Sequence, residues 1–347
     1  MGGVFRYANP PTVYWGAGAL LRLGEELDRL AVSRPFLVTT RSLAGNGAIV
    51  SRLREAAGRD WASQPRLIGQ HAPERDVAGA VEDAKKARPD GIVSIGGGSP
   101  IDAAKIVSFE LGGVPHVAIP TTLSAAELAP SAGVTDAAGQ KGGKRDPRLT
   151  PKVAIYDAEL AIHTPLELWL STGIRALDHA VETILERGEH PYSDALALDG
   201  IRRLFASLPS AKAHPEDAGV RTENQIGAWL SYSLPGAAGG LSHMLGKQIG
   251  SPFGIPHGIT SCLLLPHVLR YRARTQPDQA ARLAPAMGVA SAEAAADAVH
   301  DLIGRLGLPR HLGAYQLSDE QLRAAAGPLA GDRYPVEDLV AIYHAAA

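Results

Sequence analysis

The segment Gly96-Gly97-Gly98-Ser99-Pro100-Ile101-Asp102 constrains the fold of this chain more than any other. It directly follows an apolar run, Gly91-Ile92-Val93-Ser94-Ile95, that reads as a strand, and it opens a helical stretch. Glycine lets a backbone approach a ligand closely, and Pro100 suits the first turn of a helix. The free amide N–H groups of such a turn, at the positive end of a helix, can cradle a pyrophosphate. A plain tight strand-to-helix turn is the other reading of the same residues.

The flanking sequence repeats this alternation. Pro35–Thr39, Pro115–Ile119 and Val153–Asp157 read as further strands, with helical patterns near Ala44–Ala57 and Asp76–Ala87. Val13-Tyr14-Trp15, followed by Gly16-Ala17-Gly18, reads as an edge strand leading into a helix. Strands alternating with helices predict parallel βαβ units. After about residue 160 the pattern turns helical, over Leu166–Glu186, Asp194–Leu208, Glu223–Gln248, Ser261–Ala273, Gln279–Met287 and Ala292–Leu306. Pro235 is expected to kink or break the third of these. The 347 residues thus divide into a Rossmann-like α/β domain, 1–158, and an all-α domain, 159–347, with the expected cleft between them.

Composition excludes several classes of function. The formal net charge is −2 with acids and bases mixed, so no basic face for nucleic acid stands out. No uncharged apolar stretch approaches the roughly 18 residues that span a bilayer. The opening Met1-Gly2-Gly3-Val4-Phe5-Arg6 lacks a secretory apolar region, so a cytoplasmic location is expected. Cys262, the single cysteine, lies in the apolar run Cys262-Leu263-Leu264-Leu265 and reads as a buried structural thiol.

A second loop, Ile119-Pro120-Thr121-Thr122-Leu123-Ser124, ends a later strand on the rim that carries the glycines. Its hydroxyl and N–H groups could contact a ribose, a phosphate or an amide, although such turns are commonplace. The helical half supplies Arg175 and His179, four apart and on one helix face, then His243 and Lys247, also four apart, then His257. Each histidine taken singly is as well read as a packed or surface residue.

Taken together, these segments carry a family resemblance. Gly96–Lys105 (GGGSPIDAAK), Ile119–Thr122 (IPTT), Gly173–Glu182 (GIRALDHAVE), and His243–His257 continuing to Leu263-Leu264-Leu265-Pro266-His267 resemble the iron-containing alcohol dehydrogenase superfamily. Thr121–Glu127, Asp146-Pro147-Arg148-Leu149 and Ser171-Thr172-Gly173 resemble its maleylacetate reductase branch most. The resemblance implies a Rossmann-like domain, a helical domain and an active site between them, often in a homodimer. It implies NADPH or NADH as cofactor, contacted by Thr40, Arg41, Gly97, Gly98, Ser99, Asp102, Thr121, Thr122, Leu123 and Lys141. Maleylacetate reductases reduce a carbon–carbon double bond conjugated to a ketone.

The sequence departs from the family at two places. Metal-dependent members hold an ion with one Asp and three His, which match His179, His243 and His257, but Arg175 stands at the Asp position. A guanidinium has no lone pair to offer a metal. Another active-site histidine of the family is replaced by Lys247. The expected catalytic set is therefore Arg175, His179, His243, Lys247 and His257 without a metal, acting on a small acidic carbonyl or enone. Arg175 would grip a carboxylate or offset enolate charge, unless it merely pairs with Asp178 or Glu182. At the position where NAD-selective members carry an Asp stands Thr40, followed by Arg41, which favours a 2′-phosphate and hence NADPH. A metal-dependent dehydrogenase with a three-histidine site, a non-redox lyase or cyclase of the dehydroquinate synthase type, and a catalytically dead nucleotide-binding protein are the alternatives.

Overall fold

The computed structural model describes residues 9–186, 189–232 and 239–347, and of Lys141 the backbone alone. The chain forms two compact units, Met1–Thr164 with Glu216–Gln225, and Pro165–Pro215 with Ile226–Ala347.

The first unit contains strands β1 (Thr12–Gly16), β2 (Pro35–Thr39), β3 (Arg66–Leu67), β4 (Gly91–Gly96), β5 (His116–Pro120), β6 (Ser131–Thr135), β7 (Lys141–Arg145) and β8 (Val153–Asp157). Its helices are α1 (Leu23–Arg29), α2 (Arg41–Ala44), α3 (Gly47–Ala57), α4 (Glu74–Ala87), α5 (Gly98–Glu110) and α6 (Ala158–Ala161). Six strands make one parallel sheet in the order β1-β8-β5-β4-β2-β3, and β6 and β7 form a separate antiparallel pair. The central strands are apolar on both faces because both are covered. Leu37, Val93, Ile95, Val117, Ile119, Val153 and Ile155 pack on α1 and α3. Phe36, Val38 and Ile92 point the other way, onto Val77 and Ala80 of α4 and Ala103 and Val107 of α5. β1 sits at one edge of the sheet, as its short alternating sequence predicts.

In the second unit lie α7 (Leu166–Glu186), α8 (Pro191–Ala213), α9 (Ala218–Ser231, with residues to 225 clustering in the first unit), α10 (Leu241–Gly250), α11 (His257–Thr275), α12 (Pro277–Ala281), α13 (Ala284–Met287), α14 (Ala292–Leu306), α15 (Asp319–Ala326) and α16 (Val336–Ala346). Among its described residues the only strand-like pairing is a bridge between Gly331 and Tyr334. The fold is thus a Rossmann-like α/β unit plus an all-α unit. Among the described residues no helix is long and apolar enough to cross a membrane.

Several element limits differ from those read in the sequence. The stretch Ala44–Ala57 is broken, because the Asn46 side chain accepts from the Ile49 amide and starts α3 afresh. The stretch Gln279–Met287 likewise divides into α12 and α13, with Pro285 opening the second. Glu223–Gln248 is two helices, α9 and α10, and Pro235 lies outside the described residues. β3, the β6–β7 pair, α15 and α16 were not anticipated. Cys262 is buried, its thiol donates to the Gly258 carbonyl, and burial pushes its pKa up.

Candidate active site

In the first unit the register pairs Gly96 with Pro120, so the ends of β4 and β5 lie side by side. The Thr121 amide donates to the Gly96 carbonyl at 2.9 Å, which joins the glycine loop to the threonine loop. Gly96 has φ +139°, a left-handed conformation that side chains resist. A Cβ on Gly97 would lie 3.1 Å from Thr122 Cγ2. Gly97 also stands at the N-cap of α5, which has no side-chain cap hydrogen bond. Thr122 donates to Ser124, and both side chains flank the glycines. Leu123 is buried.

The same loops are braced from beneath. Lys105 is fully buried and donates to the carbonyls of Ala126, Ala129 and Ser131. Asp102, expected at the cofactor, accepts the Gly133 amide at 2.9 Å and lies 3.5 Å from Lys105. Thr40 caps α2 by accepting from Leu43, and Arg41 beside it is exposed. Lys141 opens β7, and its side chain lies outside what the structure describes.

The second unit brings together the cationic and histidine residues read from the sequence. His179, on α7, and His243, on α10, have ring centroids 6.4 Å apart. His243 and His257, the first residue of α11, are 5.1 Å apart at 83°. Tyr232 meets His179 edge-on at 5.3 Å. Arg175 is only 2% exposed. Its Nη1 donates to Asp178 Oδ2 at 3.0 Å and to Ser261 Oγ at 2.9 Å. Pairing with Asp178 was the alternative to a ligand-binding role, and it uses Nη1 alone: Nη2 is buried without a hydrogen-bond partner. A carboxylate grip by Arg175, as expected from the sequence, would therefore use the donors that Asp178 and Ser261 leave.

Glu182, one turn beyond His179, is buried and accepts the His243 amide at 2.9 Å and the Gly240 amide. It thereby caps α10 across the gap from α7. A Cβ at Gly240 would come within 2.3 Å of Glu182 Cδ, so glycine is needed for this close approach.

Burial dominates the electrostatics. It pushes His179 well below the usual imidazole range, and the Arg175 charge adds to the effect. Glu182 is pushed well above the carboxylate range by burial and then by Asp178. Asp178 is raised by burial, against the pull of Arg175 and two serines. Lys247 stands at the exposed side of α10, where partial desolvation of its ammonium, then Arg175, lowers its pKa. Such a cluster holds His179 neutral and a cation beside it.

The profile of iron-containing alcohol dehydrogenases matches residues 10–158, and that of the Fe-containing alcohol dehydrogenase C-terminal region matches residues 169–344. The chain belongs to the iron-containing alcohol dehydrogenase family. It is 32% identical over 325 residues to a maleylacetate reductase of Rhizobium sp. (strain MTP-10005), covering 93% of this chain and 90% of that protein. A maleylacetate reductase of Burkholderia cepacia is 33% identical over 329 residues, 94% of this chain and 91% of its own. The crystal structure of maleylacetate reductase from Agrobacterium tumefaciens superposes with a TM-score of 0.87 at 30% identity, over 99% and 98% of the two chains. This family member is an oxidoreductase, and its resemblance to the maleylacetate reductase branch extends over most of its length.

Sequence reading missed Ser242, Ser261 and Glu182 as site residues. A signal for each existed: Ser242 precedes His243, Ser261 follows His257 by one helical turn, and Glu182 follows His179 by three residues.

Proposed function

We propose that this chain uses NADPH or NADH to reduce the conjugated double bond of a small enone acid of the maleylacetate type, or a related carbonyl acid, without a metal. The observation that carries this reading is the buried guanidinium of Arg175, whose Nη2 has no hydrogen-bond partner among the described residues and whose charge lowers the pKa of His179, the first of three neighbouring histidines. Hydride arrival at the carbon moves an electron pair onto the carbonyl oxygen. A fixed cationic donor in a desolvated site offsets that charge as a Lewis acid would. Lys247 then supplies the proton to carbon.

The carboxylates near the three histidines support the reading without a divalent ion. The position four before His179 holds a cation instead of a carboxylate. Asp178 Oδ2 is occupied by Arg175, Ser242 and Ser261, and Glu182 Oε1 by the start of α10.

The first unit suits a nicotinamide dinucleotide. Gly97, Gly98, Ser99, Thr121, Thr122, Leu123 and Lys141 would hold the pyrophosphate and its neighbours, while Asp102 acts through the Gly133 backbone. Thr40 offers no carboxylate to repel a 2′-phosphate, and exposed Arg41 can pair with one, so NADPH is favoured. The test is NADPH and NADH oxidation with maleylacetate and with simple oxo acids. Net oxidation, faster with NADPH, is expected; a lyase or cyclase would show none. Arg175→Ala should lower kcat/KM for the acid about 100-fold, and an unchanged value would refute the role given to Arg175.

A further inference from the structure

We infer that Asp178, Ser242 and Ser261 are positioning residues that aim the Arg175 guanidinium, and that Nη2 is the donor they reserve for the substrate oxygen. The inference rests on the role proposed for Arg175 and adds the machinery behind it. Three helices converge on one carboxylate oxygen. Asp178 Oδ2, on α7, accepts from Arg175 Nη1 at 3.0 Å, from Ser242 Oγ of α10 at 2.9 Å and from Ser261 Oγ of α11 at 2.7 Å. Ser261 also accepts from Arg175 Nη1 at 2.9 Å, which closes a three-membered ring of bonds around Nη1.

A long cationic side chain ordinarily samples many rotamers. Here its Nη1 is fixed from two sides, and the planarity of the guanidinium then fixes where Nη2 points. All four side chains are at most 3% exposed. An unfilled N–H of a buried guanidinium is costly, and a bound oxygen relieves that cost. The serines have a second consequence. Their hydroxyls, each with one proton, both donate to Asp178 Oδ2, which keeps that oxygen saturated, while Asp178 Oδ1 makes no hydrogen bond to Nη2.

The test is a coupling measurement, with maleylacetate as the acid and NADPH as cofactor. Ser261→Ala breaks both of its bonds in the ring and keeps the charge pair, so it is the variant of choice; Asp178→Asn, which keeps one acceptor oxygen, is the second. Thermal melts and NADPH titrations confirm an intact fold and first unit. Ser261→Ala should lower kcat/KM about 10-fold while leaving the NADPH Kd unchanged. In an Arg175→Ala background the same change should have no further effect, because Ser261 acts through Arg175. An equal loss in both backgrounds, or no loss in either, would overturn the positioning role. If Arg175→Ala itself changes nothing, the reading of Arg175 fails instead, and the two failures are thus told apart.

Discussion

The glycine loop after β4 and the ionisable cluster of α7, α10 and α11 are both suited to binding charge, and they carry it in different materials. At the loop the attraction comes from backbone N–H groups at the start of α5, which have no protonation state to lose. The buried cation Lys105 has three carbonyl acceptors of its own. In the cluster the charge resides on side chains, and Arg175 Nη2, Asp178 Oδ1, His179 Nδ1, Glu182 Oε2 and His243 Nδ1 are all buried without hydrogen-bond partners. A backbone site is finished before its ligand arrives. A side-chain site with orphaned donors and acceptors is strained until a ligand completes it.

That difference can be broken most forcefully at Asp178. Asp178→Ala leaves a buried guanidinium unpaired and should cost about 3–5 kcal/mol of stability, read from urea unfolding. No side chain of the glycine loop should match it. Gly97→Val should instead weaken NADPH binding about 100-fold, near 2.7 kcal/mol, because its Cβ meets Thr122 and its methyl groups fill the cradle. Its thermal stability should stay close to that of the parent protein, measured by calorimetry beside a fluorescence titration.

Smaller changes sharpen the contrast. Gly240→Ala must push Glu182 off the start of α10, where a Cβ would lie 2.3 Å from the carboxyl carbon. A loss of about 1–3 kcal/mol is expected, with kcat falling and the NADPH Kd unmoved. The mildest test is pH. Lys247 has its pKa lowered, so as a proton donor it should make kcat fall as pH rises through a value below the ordinary lysine one. Lys247→Met should lower kcat and flatten that alkaline limb, while NADPH binding keeps its pH dependence.

The two sites were also unequally legible in the sequence. Glycines, Pro100 and a preceding apolar strand are contiguous, so the loop after β4 can be read from one segment, and its neighbour Thr121 follows from the next strand. The four central strands, α7 and α14 were equally plain, since unbroken apolar runs and long helical periods are local signals. β7, Lys141-Gly142-Gly143-Lys144-Arg145, was invisible because it has no apolar alternation. The histidines and Arg175 were found by spacing. What holds them was not, because Ser242, Ser261 and Glu182 gain their meaning only when three helices meet. The bond of Asp102 to the backbone of β6 was also hidden, because it joins residues 31 apart in sequence.

Metal dependence is where the contrast between the two sites is decided most directly. The protein would be stripped with a chelator, its iron and zinc content measured, and NADPH oxidation with maleylacetate followed before and after adding back stoichiometric ferrous iron or zinc. With Arg175 supplying the positive charge, the stripped protein should turn over at its full rate and gain nothing from either ion. A rate that vanishes on stripping and returns with one of the metals would contradict the assignment of Arg175.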